Sequence, residues 1–291
     1  MSRTYYHLYN SPAEFFEHAK LATEASLYGH SYSLSILQAC TESREGEFYG
    51  SWKKTLETFN NGQFQEEASL TDDIIQDICT TDFQEVKWRF MQQLTEGDAV
   101  DVERYLGGHE RCWNGCRRVP RMRQAIRIYI NFGGNCFRSS KELAVAGAVG
   151  VTFAEIMESM GIAAEIWAVH YSTRVDINGG SYVQMVKLKA QNEYSDIGLI
   201  NFMLGNDGVF RNALFRHNLI DAAKNGCDCA YGLGHSESID LDSLGLTAQE
   251  RKTAIIVPQL FDVGRAKQWL VDVLGDPEKL HKLTYRDDNV I

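Results

Sequence analysis

No stretch of this 291-residue sequence is apolar for the length that a bilayer crossing needs, and the opening residues, Met1-Ser-Arg-Thr-Tyr-Tyr-His7, lack the apolar segment of a secretory leader. A cytoplasmic chain with no membrane partner is therefore expected. Low-complexity tracts, heptad runs and internal repeats are also missing, so nothing points to a fibrous or solenoid architecture. Cysteine is too sparse and irregular for a disulfide framework. There are seven, an odd number, scattered through a chain long enough to bury a core without them, which fits reduced thiols. The net charge of −10 excludes indiscriminate attraction to nucleic acid or anionic membrane.

Acidic residues are absent from one long span. Between Arg111 and Lys141 stand Arg111, Arg117, Arg118, Arg121, Arg123, Arg127, Arg138 and Lys141, with no aspartate or glutamate, so +8 there leaves −18 elsewhere. Segregation of this kind is a candidate footprint for a polyanion or for an acidic protein face. Arginine both forks onto phosphate and stacks on bases, and Trp113 lies close by in sequence. Charge mixed with a stacking surface suits single-stranded nucleic acid. We expect a nucleic-acid interface of Trp113, Arg117, Arg118, Arg121, Arg123, Arg127, Arg138 and Lys141. The competing reading is a basic loop that neutralises the protein's own acidic stretches, such as Glu66-Glu67 and Asp72-Asp73.

The spacing of apolar residues places the elements. Ile126, Ile128 and Ile130 with Tyr129 form a strand that stops at the turn Asn131-Phe-Gly-Gly134. Ser139 precedes Glu142 by the three residues of a capping box. Leu143, Ala146, Gly147, Gly150, Phe153, Ala154, Met157 and Met160 then predict a helix with one apolar stripe, closed by Gly161. Ile162 to Val169 reads as the next strand, which makes a parallel crossover. An antiparallel hairpin follows through Tyr182 to Leu188, then a helix from Val209 to Ala223, a short strand from Cys227 to Leu233, a strand from Thr253 to Val257, and a helix capped by Asp262. The first 110 residues read as helical: from the capping box Ser11-Pro-Ala-Glu14, from Ser51 to Asn60-Asn61-Gly62, from Thr71 to Ile78, and from Asp82 to Leu94. The final residues, Thr284 to Ile291, read as a tail. These elements divide into a helical N-terminal region, 1–110, and an α/β domain, 111–291, with a doubly wound, mostly parallel sheet.

The order from the strand at Ile126 through the Asn131-to-Asn135 turn, the Ala-rich helix, the hairpin, the Gly205-to-Leu214 segment and the strand before Asp262 resembles a von Willebrand factor type A domain. Gly50-Ser51-Trp52, Asp101-Val102, Tyr105-Leu106-Gly107-Gly108, Cys112-Trp113 and Ile128-to-Asn131 leading into Ala144-to-Gly161 resemble an uncharacterised group of tailed-phage proteins with such a core. The first resemblance implies a metal-dependent adhesion site with an Asp-x-Ser-x-Ser turn. The matching positions here are Asn131, Gly133 and Asn135. The second loop offers Gly208 beside Asp207 where the family has threonine, and the third offers Pro258 and Gln259 where it has aspartate. A hard divalent ion wants several oxygens and negative charge, so the expected site is degenerate, with no metal and no cofactor.

Other chemistries are poorly supplied. Gly133-Gly134-Asn135 has neither the glycine spacing nor the lysine of a phosphate loop, although a helix start can still hold an anion. Ligands of open α/β sheets gather at strand carboxyl ends, which collects Asn131, Gly133, Gly134, Asn135, Arg138, Ser172, Asp207 and Gln259. His109, Cys112, Cys116, Cys227, Cys229 and His235 have off-pattern spacings for zinc. Gly232-Leu-Gly-His235-Ser236 is not a nucleophile elbow, and Cys136 has no assignable base. The expectation is a non-enzymatic binding protein that takes single-stranded nucleic acid, in the setting of the phage resemblance a transcription or replication accessory factor in the host cytoplasm. The alternative is an interaction or assembly module, open to homo-oligomerisation, for an acidic viral or host protein, and the third reading is an enzyme.

Overall fold

The computed structural model describes residues 4–21, 52–78, 99–100, 105–107, 113–114, 125–132, 139–160, 162–173, 181–191, 193–206, 208–214, 216–217, 220 and 238–276. In chain order the elements are β1 (Thr4–Tyr9), α1 (Pro12–Lys20), α2 (Trp52–Asn61), α3 (Gln65–Ile78), β2 (Ala99–Val100) and β3 (Trp113–Asn114). After these come β4 (Ile126–Asn131), α4 (Ser140–Ser159), β5 (Ala164–Thr173), β6 (Ser181–Lys189) and α5 (Ile197–Gly205). A π-helical stretch, Val209–Ala213, leads on to α6 (Ala248–Lys252), β7 (Ala254–Val257) and α7 (Val263–Leu274).

Alternating isoleucines make β4 a strand with two usable faces, and it sits inside a five-stranded sheet of order β1-β6-β5-β4-β7. β4 pairs parallel with β5 and with β7, β6 returns antiparallel to β5, and β1 adds a parallel edge to β6. β2 and β3 pair antiparallel as a separate two-stranded ribbon. The molecule is thus mixed α/β with a mostly parallel sheet.

Strand residues of one parity, Ile126, Ile128, Ile130, Ala164, Ile166, Ala168, Val186, Leu188, Ile255 and Val257, share one core with buried residues of α1, α3, α4, α5 and α7. The opposite parity, with Tyr129, Trp167, Val169, Val183 and Met185, packs on Leu244 and Leu246 of the segment before α6. That second core contains no helical residue among those described.

α4 lies on β4 and β5 and is covered in turn by α3, α5 and α7. The expected single apolar stripe is therefore too narrow. Every residue from Leu143 to Ala154 is buried, as happens when a helix is covered on all sides. Gly150 sets the helix-to-sheet distance, since a Cβ there would stand 2.2 Å from Ile130 Cδ1. The Ser139 capping box is present, with Ser139 Oγ accepting from the Glu142 N–H and the Glu142 carboxylate accepting from Ser139 N–H. Gly161 lies outside the described residues, as do the expected elements at 82–94 and 227–233 and the tail from 284.

Several elements differ from expectation. The N-terminal region begins with a strand that joins the main sheet, and its helices contribute Phe15, Phe16, Ile74 and Ile78 to the large core. α5 was not anticipated, and the helix expected from Val209 starts instead with the π-helical turn.

Candidate functional site

At the carboxyl end of β4, Asn131 is buried and the Phe132 N–H donates to the Val169 carbonyl. Of the other positions matched to a metal-binding loop, Gly133, Asn135 and Asp207 lie outside the described residues. The Gly208 N–H donates to Asn206 Oδ1, and Thr55 crowds Gly208 so closely that a Cβ would fall 1.8 Å from its hydroxyl. Pro258 and Gln259 carry no charge. The described donors here are all neutral and do not fit a hard cation.

Of the expected basic interface, Arg127, Lys141 and the backbone of Trp113 lie among the described residues. Arg127 belongs to the sheet face opposite α1, α3, α4, α5 and α7. Its Nε donates to Glu165 at 3.1 Å and its Nη1 to Glu250 at 2.9 Å, while Glu250 also closes the capping box of α6 through Thr247. Burial pushes the Tyr129 hydroxyl beside this network up to about 12, against the pull of the Arg127 guanidinium. Lys141 is exposed in the first turn of α4, on the helical side and beyond the other end of β4. Arg127 and Lys141 therefore do not form one patch. Trp113 is fixed by backbone pairing in the small ribbon, opposite Val100. Arg117, Arg118, Arg121, Arg123 and Arg138 lie outside the described residues, as do Arg111, all seven cysteines, His109 and His235.

A third group, which sequence spacing gave no reason to assemble, occupies the helix-facing side of the sheet. In register across three strands stand His7 of β1, Gln184 of β6 and His170 of β5. The neighbouring row is Tyr5, Tyr182 and Ser172, and Gln184 Nε2 donates to the Tyr182 hydroxyl at 2.7 Å. His170 is fully buried, edge-on to Phe132, and neither ring nitrogen has a hydrogen-bond partner. Burial pushes its pKa down to about 4, so the ring is neutral at physiological pH.

α1 and the chain after the π-helical turn close over this row. α1 forms where the chain leaves β1: Ser11 accepts from the Glu14 N–H, Pro12 stands at the first turn, and Phe15, Phe16 and Ala19 are buried. That register brings His18 to Tyr9 and to His217, which is buried and stacked on Phe15 at 4.1 Å between centroids. His217 Nε2 stands 2.9 Å from the Phe15 carbonyl, its Nδ1 2.9 Å from the Tyr9 hydroxyl and 2.8 Å from His18 Nδ1. Tyr9 and His18 are themselves 3.2 Å apart. Next in the chain, the Arg216 guanidinium lies 4.3 Å over the Trp52 ring. Burial, then the charge of His18, hold His217 well below the ordinary histidine pKa. The site gathers the half-buried His7 and His18, the buried His217 and the Tyr9 phenol. Among the described residues, no three histidine, cysteine, aspartate or glutamate side chains form a metal-holding group, and no helix is long and apolar enough to cross a membrane.

One protein family matches nearly the whole chain: its model, described as a domain of unknown function (DUF7192), covers residues 2–276. No curated protein and no solved structure matches the sequence.

Proposed function

Since the chain belongs to this DUF7192 family, whose description assigns no activity, we propose from its own residues that it is a non-enzymatic binding protein whose basic segment takes single-stranded nucleic acid. The observation that carries the reading is the acid-free run of eight basic residues from Arg111 to Lys141 in a chain of net charge −10. Two details of the geometry sharpen it. Trp113 is anchored in a ribbon of its own, immediately before Arg117 and Arg118, which suits a base-stacking side chain beside phosphate contacts. Arg127 is spoken for by Glu165 and Glu250, so we remove it from the interface and assign it to the sheet. Lys141 stays in the proposed interface as an exposed cation in the first turn of α4.

A von Willebrand A-like arrangement is part of the same proposal. It is supported by the succession of β4, the long α4, the antiparallel β5–β6 pair, further helices, then β7 and a helix capped by Asp262. The adhesion chemistry of that fold does not come with it, because the described loop positions are neutral.

The test is a titration of a fluorescent single-stranded oligonucleotide at several salt concentrations. Wild-type affinity should fall steeply with salt, because each neutralised phosphate releases counterions. Arg118→Ala with Arg121→Ala should lower the logarithmic slope by about 1 to 2. Arg127→Ala should leave it unchanged. Absence of binding at low salt overturns the reading and favours an acidic protein partner instead.

A further inference from the structure

We propose that Tyr9, His18 and His217 form a binding site for a first-row divalent metal ion of the zinc and copper class, with the remaining coordination positions left to water. The site is separate from the Asn131 turn and revises the expectation of a metal-free chain.

A neutral imidazole carries one N–H, and His217 Nε2 faces the Phe15 carbonyl at 2.9 Å, a contact that only an N–H can make. His217 Nδ1 therefore presents a lone pair. It presents it to Tyr9 Oη at 2.9 Å and to His18 Nδ1 at 2.8 Å, and those two atoms are 3.2 Å from each other. The three polar atoms stand within 3.2 Å of one another, so one cation placed off their plane would reach all three at once.

The separations have the right size for this. Donors about 2.1 Å from a zinc-class ion stand about 3.0 Å apart at right angles and about 3.4 Å apart at the tetrahedral angle. The centroids of the two imidazoles are 4.8 Å apart, farther than their Nδ1 atoms, so both nitrogens lead into the shared space. A backbone carbonyl that holds the distal N–H of a ligating histidine is the usual outer-shell device for fixing its tautomer, and Phe15 supplies it. Imidazole selects zinc, copper, nickel or iron over the hard cations. His18 and His7 are only half-buried, which gives an ion and its waters a way in, whereas His217 is sealed behind them. Two histidines alone make an incomplete set, and the Tyr9 oxygen completes a facial trio. Tyr9 would give up its phenolic proton on coordinating, and His18 would ligate through an unprotonated Nδ1 with its N–H at Nε2.

The experiment uses the full chain, stripped with chelator and dialysed. Co²⁺ is added at neutral pH while its visible ligand-field bands are followed, and Zn²⁺ is used to displace it. One equivalent should bind, and His18→Gln should weaken binding at least about 100-fold, as expected when a ligand is removed rather than an outer-shell partner. With Cu²⁺, Tyr9→Phe should abolish a phenolate charge-transfer band that His170→Gln retains. His18 is half-buried and its substitution need not disturb the core, so it carries the test even where His217→Gln fails to fold; each metal-free variant is checked by thermal unfolding. No saturable Co²⁺ or Zn²⁺ binding by folded wild type overturns the proposal. So does binding that His18→Gln leaves intact, because the ion then sits elsewhere, for instance on the cysteines.

Discussion

His170 shows how one buried side chain can set a property of the whole protein. Its ring is sealed beside Phe132 with no partner for either nitrogen, so the folded state keeps it neutral and its pKa is about 4. In the unfolded chain it titrates near 6.5. The unfolded state therefore binds the extra proton first as pH falls, and stability is lost from about pH 6.5 downward until the folded ring titrates near 4. Between pH 7.5 and pH 5 that single group should cost on the order of 2 kcal/mol. Urea unfolding at the two pH values should show this loss in wild type and a smaller one in His170→Leu. The leucine variant should also be more stable at pH 7.5 by about 1 kcal/mol, because it removes an unsatisfied buried polar group. Equal pH dependence in the two proteins would refute the assignment. Lys189 is the contrasting case. Its ammonium is just as buried but is met by Glu158 at 2.5 Å and by the carbonyls of Ala164 and Ala190. Glu158→Ala should cost about 3 kcal/mol in the same assay, since it leaves that charge uncompensated, and Lys189→Met should cost less.

At the scale of elements, α4 against β4 is where packing is tightest. Gly150→Ala places a methyl 2.2 Å from Ile130 Cδ1 and 2.9 Å from Cγ1. The helix is held by α3, α5 and α7 on its far side and cannot retreat, so the substitution should destabilise by about 1 to 3 kcal/mol. Adding Ile130→Val removes the Cδ1 atom and should recover part of the loss, which a double-mutant comparison of unfolding midpoints would reveal. The elements that were legible in the sequence share a cause. α1, α4 and α7 announce themselves through Ser11, Ser139 and Asp262 at their caps, and β4 through strict alternation. Those signals are local, so the sequence displays them directly. β1 was missed because it is an edge: Tyr6 and Leu8 are exposed on one side, and on the other Tyr5 and His7 face polar groups. α5 was missed for the opposite reason. From Gly198 to Gly205 nearly every residue is buried, so it has no polar face and no 3.6-residue period to detect. The His18–His217 pair joins positions 199 apart, and no spacing rule reaches that far. The only available hint was a histidine following Leu214 and Ala213 in an apolar helix.

Over the whole molecule, the helical region read over residues 1–110 and the α/β domain read over 111–291 contribute to one core. Phe16 stacks on Phe59 at 4.3 Å and lies 6.2 Å from Phe202, and Phe64 approaches Phe202 at 4.9 Å, so α1, α2 and the start of α3 enclose α5 in one aromatic group. Ile74 and Ile78 of α3 extend that group onto α4. β1 closes the β6 edge, and the Phe15 carbonyl and Tyr9 hydroxyl hold His217. A chain beginning at residue 111 would keep the sheet strands β4 to β7, and β3 without its partner β2, but expose α5 and the outer side of α4, where each large buried side chain represents about 1.5 to 3 kcal/mol of lost burial. Losing Phe15, Phe16, Ile74 and Ile78 together exceeds half of a typical domain's whole stability. We therefore predict that residues 111–291 alone show no cooperative thermal transition by circular dichroism, whereas the full chain shows one. A fragment that melts cooperatively near the temperature of the intact protein would restore the boundary at 110. It would also mean that the basic segment and the histidine site belong to different folding units; loss of the transition ties both to a single one.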